Sequence, residues 1–380
     1  MRAISRSSKF YISLLLILFT ITSFSIKGTI LFLIVLGLYF VRYPSVMFSN
    51  IRYGHLSVLL IFGLLPVYST IVGTIYSYEH LLKFYFLAVA TYLLLNVINY
   101  YRRSADDTDD IVKWYTYVIA LFALLQLLVY MSVGTYLDYY GFLRERYGYS
   151  AYQIKELYGA LIPIRITGMY SEPSFLAMAL LPALGYFLYV DRIKNWSFAI
   201  AILVVALSMS SAALVVMVLM LFVYVLLRAH NVKVFLVMSG FCCALAMASG
   251  PLVYERIVEP KTYDAFESRL HIFRELSVRN FDVAMFGTGI FLDEFGNDNG
   301  VTRLSAAEVR DTGFIFHILY SFGYIGLGIA CLLAIAYMFI SGGKVLLFLP
   351  LLLLKFGFLL STFYILLIFL AISLKDENRE

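Results

Sequence analysis

The chain is a succession of long apolar runs, each closed by a small cluster of charge, glycine or asparagine. A run of roughly 20 apolar residues is what a helix needs to cross a hydrocarbon core. Within that core the backbone must satisfy its own hydrogen bonds, which leaves helices and closed barrels as the only spanning structures. Parsed at the charged punctuation, the sequence gives twelve helical spans, approximately Phe10 to Ile26, Gly28 to Val41, Leu56 to Tyr76, Leu81 to Tyr100, Ile111 to Val133, Pro173 to Val190, Asn195 to Ser210, Ser211 to Leu227, Val234 to Ser249, Gly313 to Ile340, Val345 to Phe358 and Leu360 to Leu374. A turn near Lys355 separates the last two, because one tilted helix there would leave an ammonium at mid-membrane; without that turn the count is eleven. The expected fold is therefore all-α, a single polytopic membrane domain over residues 1–380.

Composition agrees: 62% of residues are apolar and 14% charged, with a mean hydropathy of +0.86. About half of the charged residues fall in two stretches, Gly134 to Glu172 and Pro251 to Thr312. The net charge of +5 does not indicate nucleic acid, since no basic run with interleaved aromatics remains once the loops are set aside. Cys242, Cys243 and Cys331 all lie in apolar runs, where cysteine is a packing residue and offers no disulfide or zinc framework. No phosphate-binding glycine loop, HExxH or His/Cys ligand spacing occurs, so neither cofactor nor metal is expected. The run Asp106, Asp107, Asp109, Asp110 reads as a solvated turn, and the first apolar run as a retained span rather than a cleaved signal.

Basic residues set the orientation. With the N-terminus inside, fifteen of them (among them Lys9, Lys113, Arg192, Arg228 and Lys344) fall on the cytoplasmic side, against Lys27, Lys83 and Lys355 in short outer turns. Both charged stretches, 134–172 and 251–312, then become long loops on the outer side of the membrane. The first is rich in tyrosine (Tyr136, Tyr139, Tyr140, Tyr147, Tyr149, Tyr152, Tyr158), a residue suited both to stacking on sugars and to the membrane interface. It ends with Arg165-Ile-Thr-Gly-Met-Tyr-Ser-Glu172-Pro173, where Pro173 opens a helix and Glu172 stands at its positive end. In the second loop, apolar residues at 263, 266, 270 and 273 predict an amphipathic helix near 263–276 bordered by Arg269 and Arg274. Met285-Phe-Gly-Thr-Gly-Ile-Phe291 follows as a turn, and Arg310-Asp311-Thr-Gly313 leads into Phe314-Ile-Phe-His317.

Three of these segments, RITGMYSEPSFLA (Arg165 to Ala177), SRLHIFREL with MFGTGIF (Ser268 to Phe291) and RDTGFIFHILYSFGYIGLG (Arg310 to Gly328), resemble the bacterial O-antigen polymerase family of the Wzy type, related to the O-antigen ligases. The resemblance implies a metal-independent glycosyltransferase. Its donor and acceptor would be undecaprenyl-diphosphate-linked oligosaccharides on the outer leaflet, its surroundings membrane lipid, and its partner a chain-length regulator protein. Breaking a sugar–diphosphate bond places negative charge on the leaving group, for which Arg269 and Arg165, then Arg274 and Arg310, are the guanidinium candidates. The acceptor hydroxyl needs a proton acceptor, for which Asp311 stands ahead of Glu172 and His317. A ligase is the nearest alternative. Ser208-Met-Ser-Ser-Ala-Ala213 lacks the arginine of many ligase-like members, and His317 is followed by Ile318 rather than Asn, Ser or Gln. A flippase for the same lipid would carry ionisable residues at mid-membrane on several spans, whereas only Asn96, Gln126 and Lys355 are polar there.

Cysteine introduced at Ser150 or Asn297 should react with an impermeant thiol reagent in cells whose outer membrane has been opened. Labelling only after lysis would reverse the orientation.

Overall fold

The structure, a computed structural model, describes residues 6–22, 25–44, 53–72, 78–101, 105–142, 164–228, 240, 277–290, 313–340 and 343–377. The regular elements among them are all helical: α1 (Arg6–Ile21), α2 (Ile26–Arg42), α3 (Tyr53–Val72), α4 (Tyr78–Tyr101), α5 (Ala105–Val133), α6 (Pro173–Tyr189), α7 (Trp196–Leu207), α8 (Ser211–Leu227), α9 (Phe281–Phe286), α10 (Phe314–Ile340) and α11 (Ser361–Glu377), with 3-10 segments at Tyr139–Phe142 and Lys344–Leu353. The expected amphipathic helix at 263–276 lies outside the described residues, as do Arg269, Arg274, Arg310, Asp311 and nearly all of the expected span Val234 to Ser249.

The protein is all-α and membrane-associated, and its described apolar helices differ widely in length. Three of those described are long and apolar enough to cross a membrane by themselves, Tyr78–Tyr100, Asp106–Val133 and Phe314–Ala336. Six further helices, α1, α2, α6, α7, α8 and α11, and the 3-10 helix Lys344–Leu353 have 10–17 residues; 17 residues rise only about 26 Å, short of a core ~30 Å thick. The shortening has local causes. Met209 has φ +50, so the seventh run stops at Leu207. The run expected from Val345 to Phe358 becomes a 3-10 helix containing Pro350, and residues 354–360 are not helical. Lys355 falls in that break, where the sequence places its turn.

Two compact units divide the chain: Met1–Arg52 with Ala90–Met217 and Tyr364–Glu380, and Tyr53–Val89 with Val218–Phe363. In the first, α6 is the centre. Every side chain from Leu176 to Tyr189 is buried, as expected of a helix apolar on all faces. Both α5 and α7 pack on α6, and α1 packs on α5. Polar side chains join these helices through backbone carbonyls: Tyr115 Oη donates to Ala179 O at 2.8 Å and Ser13 Oγ to Ile111 O at 2.8 Å.

The acidic run 106–110 is not a solvated turn. It forms the first turns of α5, whose positive end favours carboxylates. Lys9 of α1 lies 2.6 Å from Asp110 and 2.9 Å from Asp107, Lys113 pairs with Asp109 one turn on, and Arg192 reaches Asp106 at 3.2 Å. Asp109 is only 3% exposed. Composition alone missed this because two of the three cations come from distant parts of the sequence. Lys9, Lys113 and Arg192, which the positive-inside count puts on one face of the membrane, thus meet at one end of this unit. Gln126, near the other end of α5, is about 25 Å farther along the helix axis at 1.5 Å per residue, close to the thickness of the hydrocarbon core.

The second unit is organised around α10, which packs on α9 and on the 3-10 helix. The break after Leu353 frees the Leu354 carbonyl, and that carbonyl accepts from Phe314 N at 3.0 Å, satisfying an amide at the start of α10. Phe314 stacks on Phe363 at 4.6 Å, and Phe358 packs edge-on against Phe363 and Phe322.

Candidate functional site

Residues 164–172 of the first unit carry Arg165 and Glu172, and one side chain holds most of the segment in place. Gln126 Oε1 accepts from Thr167 N at 2.8 Å and from Gly168 N at 3.1 Å, while Nε2 donates to Leu137 O at 2.7 Å and to Thr167 Oγ1 at 3.2 Å. A single amide therefore joins both described parts of the first charged stretch, 134–142 and 164–172, to α5. Tyr136 Oη adds a 2.8 Å contact to Thr167 Oγ1. Gly168 has φ +55, a left-handed conformation strained for a residue with a side chain, and packs against Ala123. Tyr170, buried, bonds Thr20 of α1 at 2.8 Å. Burial pushes its phenol well above the ordinary range, and the Thr20 bond only partly offsets this, so Tyr170 stays protonated and serves as a structural pin.

On this pinned segment Arg165 is 6% exposed. A guanidinium held that far from water must be compensated by charge or hydrogen bonds. Glu172 stands at the N-cap of α6 in extended conformation with Pro173 next, the arrangement read from the sequence. Its side chain is exposed, and Ser174 Oγ donates to its Oε2 at 3.0 Å. The carboxylate is not used to cap the helix, so it stays at the surface in the field of a positive helix end. One segment thus presents a buried cation and, seven residues on, an exposed anion.

The second unit holds His317 in the first turn of α10, its N–H donating to Gly313 O at 3.0 Å and its ring 5.2 Å from the Phe358 ring. Further along, α10 is interrupted at Gly323, with φ 64 and ψ −163. Such angles are essentially restricted to glycine, and a Cβ there would collide with the Met285 carbonyl. In an unbroken helix the carbonyls of Tyr320 and Ser321 would accept from residues 324 and 325. Instead Thr288 N donates to Tyr320 O at 3.1 Å and Gly289 N to Ser321 O at 2.9 Å. Arg279 lies over the Tyr320 ring at 4.0 Å, with Nη1 3.3 Å from Tyr320 O. On the far side, Ile290 N donates to Ser69 Oγ at 2.9 Å and Tyr68 Oη to Phe286 O, both from α3. The Gly-Thr-Gly turn is thus a donor strip: its amides at 288 and 289 serve the broken helix, and the next, at 290, serves Ser69 of α3.

Of the sequence-derived candidates, Arg165 and Glu172 share one segment of the first unit, His317 belongs to the second, and Arg269, Arg274, Arg310 and Asp311 lie outside the described residues. Among the described residues no group of three or more His, Cys, Asp or Glu could hold a metal ion. Two residues escaped sequence reasoning. Gln126 had a usable signal, because an amide in an apolar helix requires partners. Arg279 had none, since its aromatic partner is forty-one residues away. In comparisons with known proteins, no family model matches the chain and no curated protein matches it.

Gln126→Leu strands two buried amides, each at about 1–3 kcal/mol. The purified variant should melt several degrees lower and be cleaved faster by protease near residues 164–172, while Gln126→Glu, which keeps the Oε1 acceptor for both amides but loses the Nε2 donor, should fall between. Unchanged melting and cleavage for Gln126→Leu would show that the amide does not hold the segment.

Proposed function

We propose that this chain is a polysaccharide repeat-unit polymerase of the Wzy type, a multi-pass protein of the bacterial inner membrane with about twelve spans and both charged stretches in the periplasm. Its donor is a polyprenyl-diphosphate-linked oligosaccharide and its acceptor the non-reducing end of another lipid-linked repeat. The acceptor oxygen bonds to the donor's anomeric carbon, the bond from that carbon to the diphosphate oxygen breaks, and polyprenyl diphosphate leaves with the electron pair. The proton passes from the acceptor hydroxyl to a carboxylate, Asp311 before Glu172, with His317 third. Arg269 and Arg165 neutralise the diphosphate, Arg274 and Arg310 secondarily; a planar guanidinium meets two phosphate oxygens at once, which an ammonium does less well. No nucleotide, metal or other cofactor takes part, and a chain-length regulator protein is the natural partner.

One observation carries this proposal: RITGMYSE, a segment on which the family resemblance rests, is pinned by Gln126 with Arg165 buried and Glu172 exposed at a helix N-terminus. Loop charges with no task would be left in solvent, where a cation needs no compensation. A ligase is less well supported because of the sequence departures at Ser208–Ala213 and Ile318. A flippase is less well supported because the amide within the apolar part of α5, Gln126, is occupied by backbone partners.

Deletion of the gene should leave surface polysaccharide with one repeat on an otherwise normal anchor, and Arg269→Lys should restore little elongation. Asp311→Asn should restore none, at wild-type membrane levels. Bare anchor with accumulated polymer would indicate a ligase, and wild-type chain lengths from both Arg269→Ala and Arg165→Ala would remove these residues from the site.

A further inference from the structure

The second unit contains a cavity of about 360 Å³ between α8 and the 3-10 helix Lys344–Leu353. Leu219, Val223 and Leu226 form one wall and Leu346, Leu349 and Pro350 the other; every lining residue is apolar. A water there would lack the two to four polar partners it needs, and a sugar or phosphate would find no donor or acceptor. The space lies at the small end of ligand cavities, which run from roughly 300 to 1,000 Å³, so it suits one stretch of hydrocarbon chain rather than a whole headgroup.

Charge at one end narrows the occupant. A Cβ placed on Gly343 would lie 4.0 Å from Leu227 Cδ2, which brings the end of α8 beside the start of the 3-10 helix. Each of these positions is followed directly by a basic residue, Arg228 after Leu227 and Lys344 after Gly343, and the Arg228 side chain is exposed. An apolar slot whose lining at Leu227 is followed directly by one basic residue, with a second beside it, matches a lipid with an apolar tail and an anionic head.

We propose that this groove binds an anionic phospholipid, with one acyl chain between α8 and the 3-10 helix and the headgroup phosphate at Arg228 and Lys344. On the positive-inside count, both residues face the cytoplasmic leaflet. The site is thus separate from the periplasmic chemistry proposed above and does not depend on it. The bound chain fills a face that the short 3-10 helix leaves open, so the lipid acts as a structural component of the second unit.

Native mass spectrometry of the full-length protein, titrated with phosphatidylglycerol and with phosphatidylethanolamine of the same chains, tests this. Each cation near an anionic headgroup contributes roughly fivefold in affinity, so the double variant Arg228→Gln/Lys344→Gln should lose roughly thirtyfold in preference for phosphatidylglycerol. Leu226→Trp, which fills the slot, should reduce binding of both lipids. Because the double variant changes residues at the edge of the groove rather than in its walls, it tests headgroup recognition even where the tryptophan variant is poorly folded. Equal affinity of wild-type protein for the two lipids, or an undiminished preference in the double variant, would overturn the proposal.

Discussion

Peptide groups in hydrocarbon have no water to turn to, and each must find its partner in the chain. An uninterrupted helix meets that demand alone, but this protein interrupts its helices, and at several places the backbone draws on other segments. The Gly323 kink releases the carbonyls of Tyr320 and Ser321, and residues 288 and 289 supply donors. The break after Leu353 releases the Leu354 carbonyl, which meets the first amide of α10. The amides of Thr167 and Gly168 end on Gln126. In each case a segment of the resemblance motifs sits at the repair: MFGTGIF at the kink, the start of GFIFH at the break, RITG at the glutamine. Part of what those motifs encode is therefore backbone satisfaction, before any chemistry.

This separates two kinds of information in the sequence. Helix identity and rough boundaries were legible because hydrophobicity and charge punctuation act locally, as with Ser211–Leu227, which the structure reproduces residue for residue. Pro173 and Glu172 were legible for the same reason, since a proline and an acidic residue at a helix start follow from capping rules. What could not be read was pairing at a distance. Asp106 to Asp110 looked like a solvated turn until Lys9, about a hundred residues earlier, and Arg192, more than eighty later, were brought to it. The Gly-Thr-Gly segment read only as a turn until its partner, a helix break some thirty residues on, was seen to use its amides.

The proposed reaction calls for an arginine held in place and a carboxylate left reachable. The segment from Arg165 to Glu172 holds a buried arginine and an exposed glutamate through ordinary means: one buried amide, one left-handed glycine, one buried phenol and one proline-led helix start. The ion pairs at the opposite end of α5 complement this arrangement. Lys9, bonded to two carboxylates and largely shielded, contributes more than the exposed Arg192–Asp106 pair, which solvent screens. The Lys9 pairs fix the helix that carries Gln126 against α1, and Arg192 ties its first turn to the segment after α6.

The central claim, elongation of lipid-linked repeats without nucleotide or metal, is tested most directly by reconstitution. Purified protein in proteoliposomes would be given a single synthetic undecaprenyl-diphosphate-linked repeat in the presence of a chelator, and the products resolved by gel and mass spectrometry. The account predicts a ladder of lipid-linked products at whole-repeat intervals, with one undecaprenyl diphosphate released per joining. Unchanged single repeats, or repeats moved across the bilayer without lengthening, would contradict it.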